Sequence, residues 1–114
     1  MDFDLSEEQS ILKDSITRLL ADKYSFEDRN KYLASPEGWS PAVWNSFAEM
    51  GLMALPFAEA DGGLGGGAVE TAIVMEALGQ TLTLEPYFST VVLGGSVLRF
   101  GGNDDQRAEV IPAV

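Results

Sequence analysis

The chain has 114 residues, 46% of them hydrophobic, no cysteine and no histidine, and 18 acidic against seven basic side chains, for a net charge of −11. That length holds one domain at most, with enough apolar material for a core. Disulfides, zinc sites built on Cys or His, and catalysis by Cys, His or a Ser-His-Asp triad are excluded.

Between Lys31 and Arg99 there is no basic residue. A basic stripe for nucleic-acid phosphates is therefore missing, and so is attraction to an anionic membrane surface. The opening Met1-Asp2-Phe3-Asp4 is acidic, where a secretory signal begins basic. No apolar run reaches the ~18 residues of a membrane span. The expectation is a soluble, cytoplasmic protein with neither nucleic acid nor membrane as partner.

Ser6 and Gln9 read as a capping box, with Glu7 and Glu8 at the positive end of a helix. Leu12, Ile16, Leu19 and Leu20 then make one apolar stripe to about Lys23. Tyr24-Ser25-Phe26 interrupts it, and a short second helix is expected over Glu27 to Leu33. Ser35-Pro36-Glu37-Gly38 is a turn. Ser40 reads as an N-cap before Pro41, and Val43, Trp44, Phe47 and Met50 face a third helix inward until Gly51 stops it.

Leu52 to Pro56 is apolar but too short to assign. Gly62 to Gly67 is a flexible loop joining helices, and helical character resumes from Val69 to Gly79. From Tyr87 to Phe100 the residues Phe88, Val91, Val92, Leu93, Val97 and Leu98 spread around most of a wheel. A helix apolar on nearly all sides is expected inside a bundle. Gly101-Gly102 ends it, and Asn103 with Gln106 caps a last short helix. The fold class is all-α, a bundle of five to six helices, and the sequence breaks off in mid-pattern at Ile111-Pro112-Ala113-Val114.

Gly63-Leu64-Gly65-Gly66-Gly67-Ala68 formally matches the dinucleotide fingerprint G-x-G-x-x-A. A polar stretch, Phe57 to Asp61, separates the apolar run from the glycines, so the tight strand-to-helix turn that motif needs is absent. Glu70 and Glu76 are six apart on a helix and do not share a face closely enough for acid–base work. The other carboxylates read as solvated surface. Trp44 and Phe47 at helical spacing read as core rather than a ligand platform. Glu85-Pro86-Tyr87 sits just before the most apolar helix. As a boundary it needs only the helix dipole and a first-turn proline; as a site it places a polar group at the mouth of an interhelical cleft.

Several segments together resemble acyl-CoA dehydrogenases: Asp4-Leu5-Ser6-Glu7-Glu8-Gln9, Phe47 through Pro56, the Gly62–Gly67 loop, Glu76-Ala77-Leu78-Gly79, and Gly102-Asn103-Asp104-Asp105-Gln106. They run in order over essentially the whole chain. The run Val69 to Gly79 with Leu84-Glu85-Pro86-Tyr87 looks closest to bacterial members like the small subunit of pimeloyl-CoA dehydrogenase. The resemblance implies an N-terminal all-α domain over 1–114, with the middle β and C-terminal helical domains absent. It implies FAD in the complete enzyme, acyl-CoA as substrate, and a homo- or hetero-oligomer formed through the missing domains. The flavin loops and the catalytic base would lie beyond Val114, so no residue here is assigned a catalytic, flavin-binding or metal role, and the fragment alone is expected to be inactive. The positions matching the wall of the acyl pocket are Glu85, Pro86, Ser89 and Thr90. A cavity-facing Glu85 would repel a terminal carboxylate on the substrate; Ser89, Thr90 or Tyr87 would supply neutral donors instead. Two other readings compete: a stand-alone helical module that binds an apolar partner, and an acyl-chain binder without catalysis.

Overall fold

The structure, a computed structural model, describes residues 4–113. Among them are six α-helices and no strand. No helix of the described residues is long and apolar enough to cross a membrane. The chain forms two compact units, Met1–Ser40 with Ala72–Leu84, and Pro41–Thr71 with Glu85–Val114.

In the first unit, α1 (Glu7–Lys23) begins at the expected capping box. Ser6 Oγ accepts from the Gln9 amide at 3.1 Å, and Gln9 Oε1 accepts from the Ser6 amide at 2.9 Å. Two of the four N–H groups left over at a helix start are satisfied in this way. Ile16 and Leu20 of the apolar stripe are buried, as are Ile73, Val74, Ala77 and Leu78 of α4 (Ala68–Gln80). α2 (Phe26–Ala34) is one residue longer at each end than the sequence indicated, because Ser25 caps it through the Asp28 amide at 3.1 Å.

The turn after α4 is tied down from two sides. Arg29 Nε donates to the Leu82 carbonyl at 2.8 Å, and the Leu84 amide donates to the Tyr24 hydroxyl at 2.9 Å. Leu82 is left-handed, with φ 51°. It occupies the position after a helix where glycine is usual: the Thr83 amide reaches the Leu78 carbonyl and the Leu82 amide reaches that of Gly79.

In the second unit, α3 (Pro41–Glu49) ends at Gly51, whose φ is 79°. The Leu52 amide bonds to Phe47 O and the Gly51 amide to Ala48 O, a Schellman cap. The run Leu52–Pro56, unassigned from sequence, is a series of turns and not a strand. The amides of Ala54, Leu55 and Phe57 each donate to the carbonyl three residues back. Val43, Phe47, Leu52, Leu55 and Phe57 bury their side chains, joined by Tyr87, Val91 and Ile111 from later in the chain.

A helix then starts at Tyr87, runs as a π-helix over Phe88–Gly94, and continues as α5 (Gly95–Gly101). Here one expectation fails: this helix is not buried on all sides. Only Tyr87, Val91 and Gly95 are enclosed, while Phe88, Leu93, Val97 and Phe100 are 53%, 58%, 67% and 80% exposed. Apolar residues all round a wheel say that each face suits burial; they do not say that this chain supplies the cover. α6 (Asp104–Val110) carries the second expected capping box, from Asn103 and Gln106.

Candidate functional site

The four positions that the resemblance leads one to expect at an acyl-pocket wall lie around the start of the helix at Tyr87, and they separate by burial. Glu85 is buried at 5% exposure, Pro86 and Thr90 are half-buried, and Ser89 is exposed. The Pro86 carbonyl gathers the first turn, accepting from the Thr90 amide at 3.1 Å and from Ser89 Oγ at 3.3 Å. Proline suits this place because its missing N–H is one a helix start leaves over in any case.

Tyr87 anchors the arrangement. Its hydroxyl donates to the Leu52 carbonyl at 2.7 Å in the core. Burial pushes the phenol well above its ordinary value near 10, because the anion would lose its hydration. Tyr87 is therefore no donor for a ligand: its one hydrogen is spent on Leu52. Ser89 spends its hydrogen on Pro86. Of the three neutral donors considered from sequence, Thr90 is the one whose hydroxyl is not shown committed to the backbone.

Three clefts are lined by other residues. One of about 190 Å³ in the first unit lies among Leu5, Lys13, Thr17, Ile73, Ala77 and Gln80. One of about 280 Å³ in the second lies among Ala48, Gly51, Met53, Ala54, Ile111 and Pro112. The widest, about 530 Å³, has Pro56, Gly65, Gly66, Arg99, Phe100 and Arg107 on its walls. Arg99 and Arg107 are the only basic residues after Lys31, so both cations of that unit meet at one place. Sequence reasoning passed over this convergence, although the spacing of basic residues was its signal. Arg107 is engaged by Asp61, Asp104 and the Gly102 carbonyl.

The glycine loop was the one backbone feature shaped like a nucleotide cradle, and it does not fit a flavin nucleotide. Its amides are all used inside the chain. Gly62 donates to Glu59 O, Gly63 to Ala58 O, Leu64 to Ala54 O, Gly65 to Phe57 O and Gly66 to Leu55 O, at 2.7–3.0 Å. The Gly67 amide donates to Glu70 Oε2 at 2.9 Å. A phosphate-binding loop works by aiming such N–H groups at the ligand. The loop is also not the flexible connector expected from sequence, since it is bonded along its length to residues 54–59. No chemical step is assigned to a flavin through these residues. Among the described residues no three His, Cys, Asp or Glu side chains converge to hold a metal ion.

The family model described as "Acyl-CoA dehydrogenase, N-terminal domain" matches residues 6–114. The chain belongs to the acyl-CoA dehydrogenase family. It is 31% identical over 98 residues to acyl-CoA dehydrogenase IpdE2 of Mycolicibacterium smegmatis, covering 85% of this chain and 32% of that protein. To the probable acyl-CoA dehydrogenase YngJ of Bacillus subtilis it is 27% identical over 109 residues, covering 94% of this chain and 28% of that one. Among solved structures it resembles a chain in the crystal structure of the ChsE4-ChsE5 complex from Mycobacterium tuberculosis, with a TM-score of 0.75 over 95% of this chain and 32% of that one, at 23% identity. That likeness shows the fold. The chain spans about a third of the length of these relatives. These matches carry the family and not the narrower pimeloyl-CoA type.

Proposed function

We propose that this chain is the N-terminal helical portion of a flavin-dependent acyl-CoA dehydrogenase, working in the cytoplasm as part of an oligomer. Its task is steric: Glu85, Pro86, Ser89 and Thr90 form part of the wall of the acyl-chain pocket. The observation that carries the reading is the match of residues 6–114 to the family's N-terminal domain. Its support in the structure is negative and local: the glycine loop leaves no amide for a nucleotide. In the complete enzyme FAD would accept the hydride lost from the acyl chain. The groups that hold it and take the proton belong to other segments of such an enzyme, and the middle β and C-terminal helical domains are where the reading puts them.

Two measurements test this. The 114-residue chain, given FAD, an acyl-CoA and an artificial electron acceptor, is expected to give no acceptor reduction; turnover would place the chemistry in these residues and overturn the reading. In the complete enzyme, Thr90→Trp is expected to raise KM for a long acyl-CoA at least tenfold more than for butyryl-CoA, because only the long chain reaches the filled space. An equal effect on both chain lengths would remove Thr90 from the wall.

A further inference from the structure

Helix α6 is held to its unit by charge rather than by apolar contact. None of its seven residues, Asp104–Val110, is buried, and Arg107 is the one that is not exposed. A helix this short draws its stability from packing of an apolar face, and α6 has no such face. Ile111, one residue beyond it, is buried and anchors the far end. The near end, from Asn103 to Gln106, is exposed throughout.

Arg107 supplies the missing tie. Its guanidinium bonds Asp104 and the Gly102 carbonyl, both in its own segment. Among the described residues its one ion-pair partner elsewhere in the unit is Asp61, at 3.7 Å. The two pairs differ in their access to water. The Asp104 side chain is 97% exposed, whereas those of Arg107 and Asp61 are 20% and 25% exposed. Solvent screens the first pair strongly and the second much less. The second pair joins α6 to the short helix Glu59–Asp61 that leads into the glycine loop. Asp61 lies on the walls of both clefts of this unit, and Arg107 on the wall of the wider one.

We infer that the Asp61–Arg107 pair is a latch, and that its release lets the near end of α6 open about Ile111 while the rest of the unit stays folded. Elements with few buried apolar contacts open at free energies well below that of global unfolding. An apolar anchor at position 107 would keep the helix closed at any ionic strength; an arginine makes the closure sensitive to salt. Opening takes Arg107 off the wall of the wider cleft and leaves the Asp61 carboxylate to water. The inference does not depend on the acyl-pocket reading, and loss of one leaves the other standing.

Trypsin reads the latch, because it cuts after Arg107 only when that side chain leaves its partners. Cleavage there releases Ala108–Val114, and cleavage after the exposed Lys31, which belongs to the other unit, is the reference. Relative to Lys31, cleavage at Arg107 is expected to be at least threefold faster in Asp61→Asn than in the parent chain at about 20 mM NaCl. Raising NaCl to about 500 mM is expected to speed it at least threefold in the parent and hardly at all in Asp61→Asn, where no charge is left to screen. Asp104→Asn, which removes only the exposed partner, is expected to change it less than twofold. Hydrogen exchange separates local opening from general loosening: in Asp61→Asn the amides of Ala108, Glu109 and Val110 are expected to exchange faster while those of α3 keep their parent rates. If the α3 amides also speed up in that variant, the salt response of the parent chain decides alone. Equal cleavage in parent and Asp61→Asn, a parent indifferent to salt, or an effect of Asp104→Asn as large as that of Asp61→Asn overturns the proposal.

Discussion

Substituting Gly63 by alanine tests whether the glycine loop is a fixed part of the fold. A Cβ there would lie 2.1 Å from the Phe57 carbonyl oxygen and 2.4 Å from its carbon. Both are main-chain atoms, so no side-chain rotation relieves the overlap. The loop must lift off residues 54–58, and the amides of Gly63, Leu64, Gly65 and Gly66 then lose their carbonyl partners. At ~1 kcal/mol net for each bond, about 3–4 kcal/mol of stability is lost. For a chain of this length that is roughly 10–15 °C in Tm. Two neighbours calibrate the result. Gly67→Ala meets only Glu70 Oε2, at 3.6 Å, and is expected to stay within ~0.5 kcal/mol of the parent. Gly38→Ala meets nothing within 4 Å but forces alanine to φ 78°, at a cost of about 1–2 kcal/mol. Urea unfolding followed by circular dichroism gives all three values. If Gly63→Ala is no worse than Gly67→Ala, the loop is not pinned, its amides are available, and the case against a nucleotide cradle collapses.

Three further outcomes follow from single contacts. Tyr87→Phe removes the shorter of the two hydrogen bonds on the Leu52 carbonyl, which keeps only the Leu55 amide at 3.4 Å, and is expected to cost about 0.5–1.5 kcal/mol in urea unfolding; no loss would mean the bond does not form. Because the folded-state phenol titrates above the unfolded value near 10, its contribution is complete below that pH and is lost as pH rises beyond it, since the unfolded state then binds fewer protons. The alkaline limb of the stability–pH curve is therefore expected to flatten in Tyr87→Phe, and an unchanged limb would assign it to other groups. Leu82→Gly relieves a left-handed leucine that is 64% exposed and is expected to raise stability by about 0.5–1 kcal/mol, whereas a loss would show the leucine side chain to be holding the turn.

What the sequence disclosed was mostly local. Ser6 with Gln9 and Asn103 with Gln106 are three residues apart, so both partners of each capping box fall within one reading window. Gly51 was legible for the same reason. The glycine loop was not, because its partners are carbonyls, which every residue carries and no sequence distinguishes. Only the packed chain shows that Gly63 and Gly66 lack side chains in order to lie against Phe57 and Leu55. The wall positions were named by resemblance, and their division into a buried Glu85 and an exposed Ser89 followed only from the packing. The helix from Tyr87 was read correctly as helix and wrongly as enclosed.

The same helix shows why its faces are so sharply divided. Tyr87, Val91 and Gly95 are all buried, at intervals of four. On an α-helix each such step overshoots by about 40°, so two steps would turn Gly95 roughly 80° away from the side Tyr87 faces. The intervening residues Phe88–Gly94 are instead π-helical, and the wider turn takes back part of that rotation. Gly95 thus stays directed at Phe57, where a Cβ would come within 2.8 Å of the ring. With Tyr87 bonded to Leu52 at one end and Gly95 against Phe57 at the other, the register between them is fixed. Ser89, Leu93 and Val97, offset by two from the buried set, are thereby held outward whatever they later meet. The exposure of these three positions is thus a consequence of two core contacts, and a deletion of one residue within Phe88–Gly94 would rotate everything beyond it by about 100°.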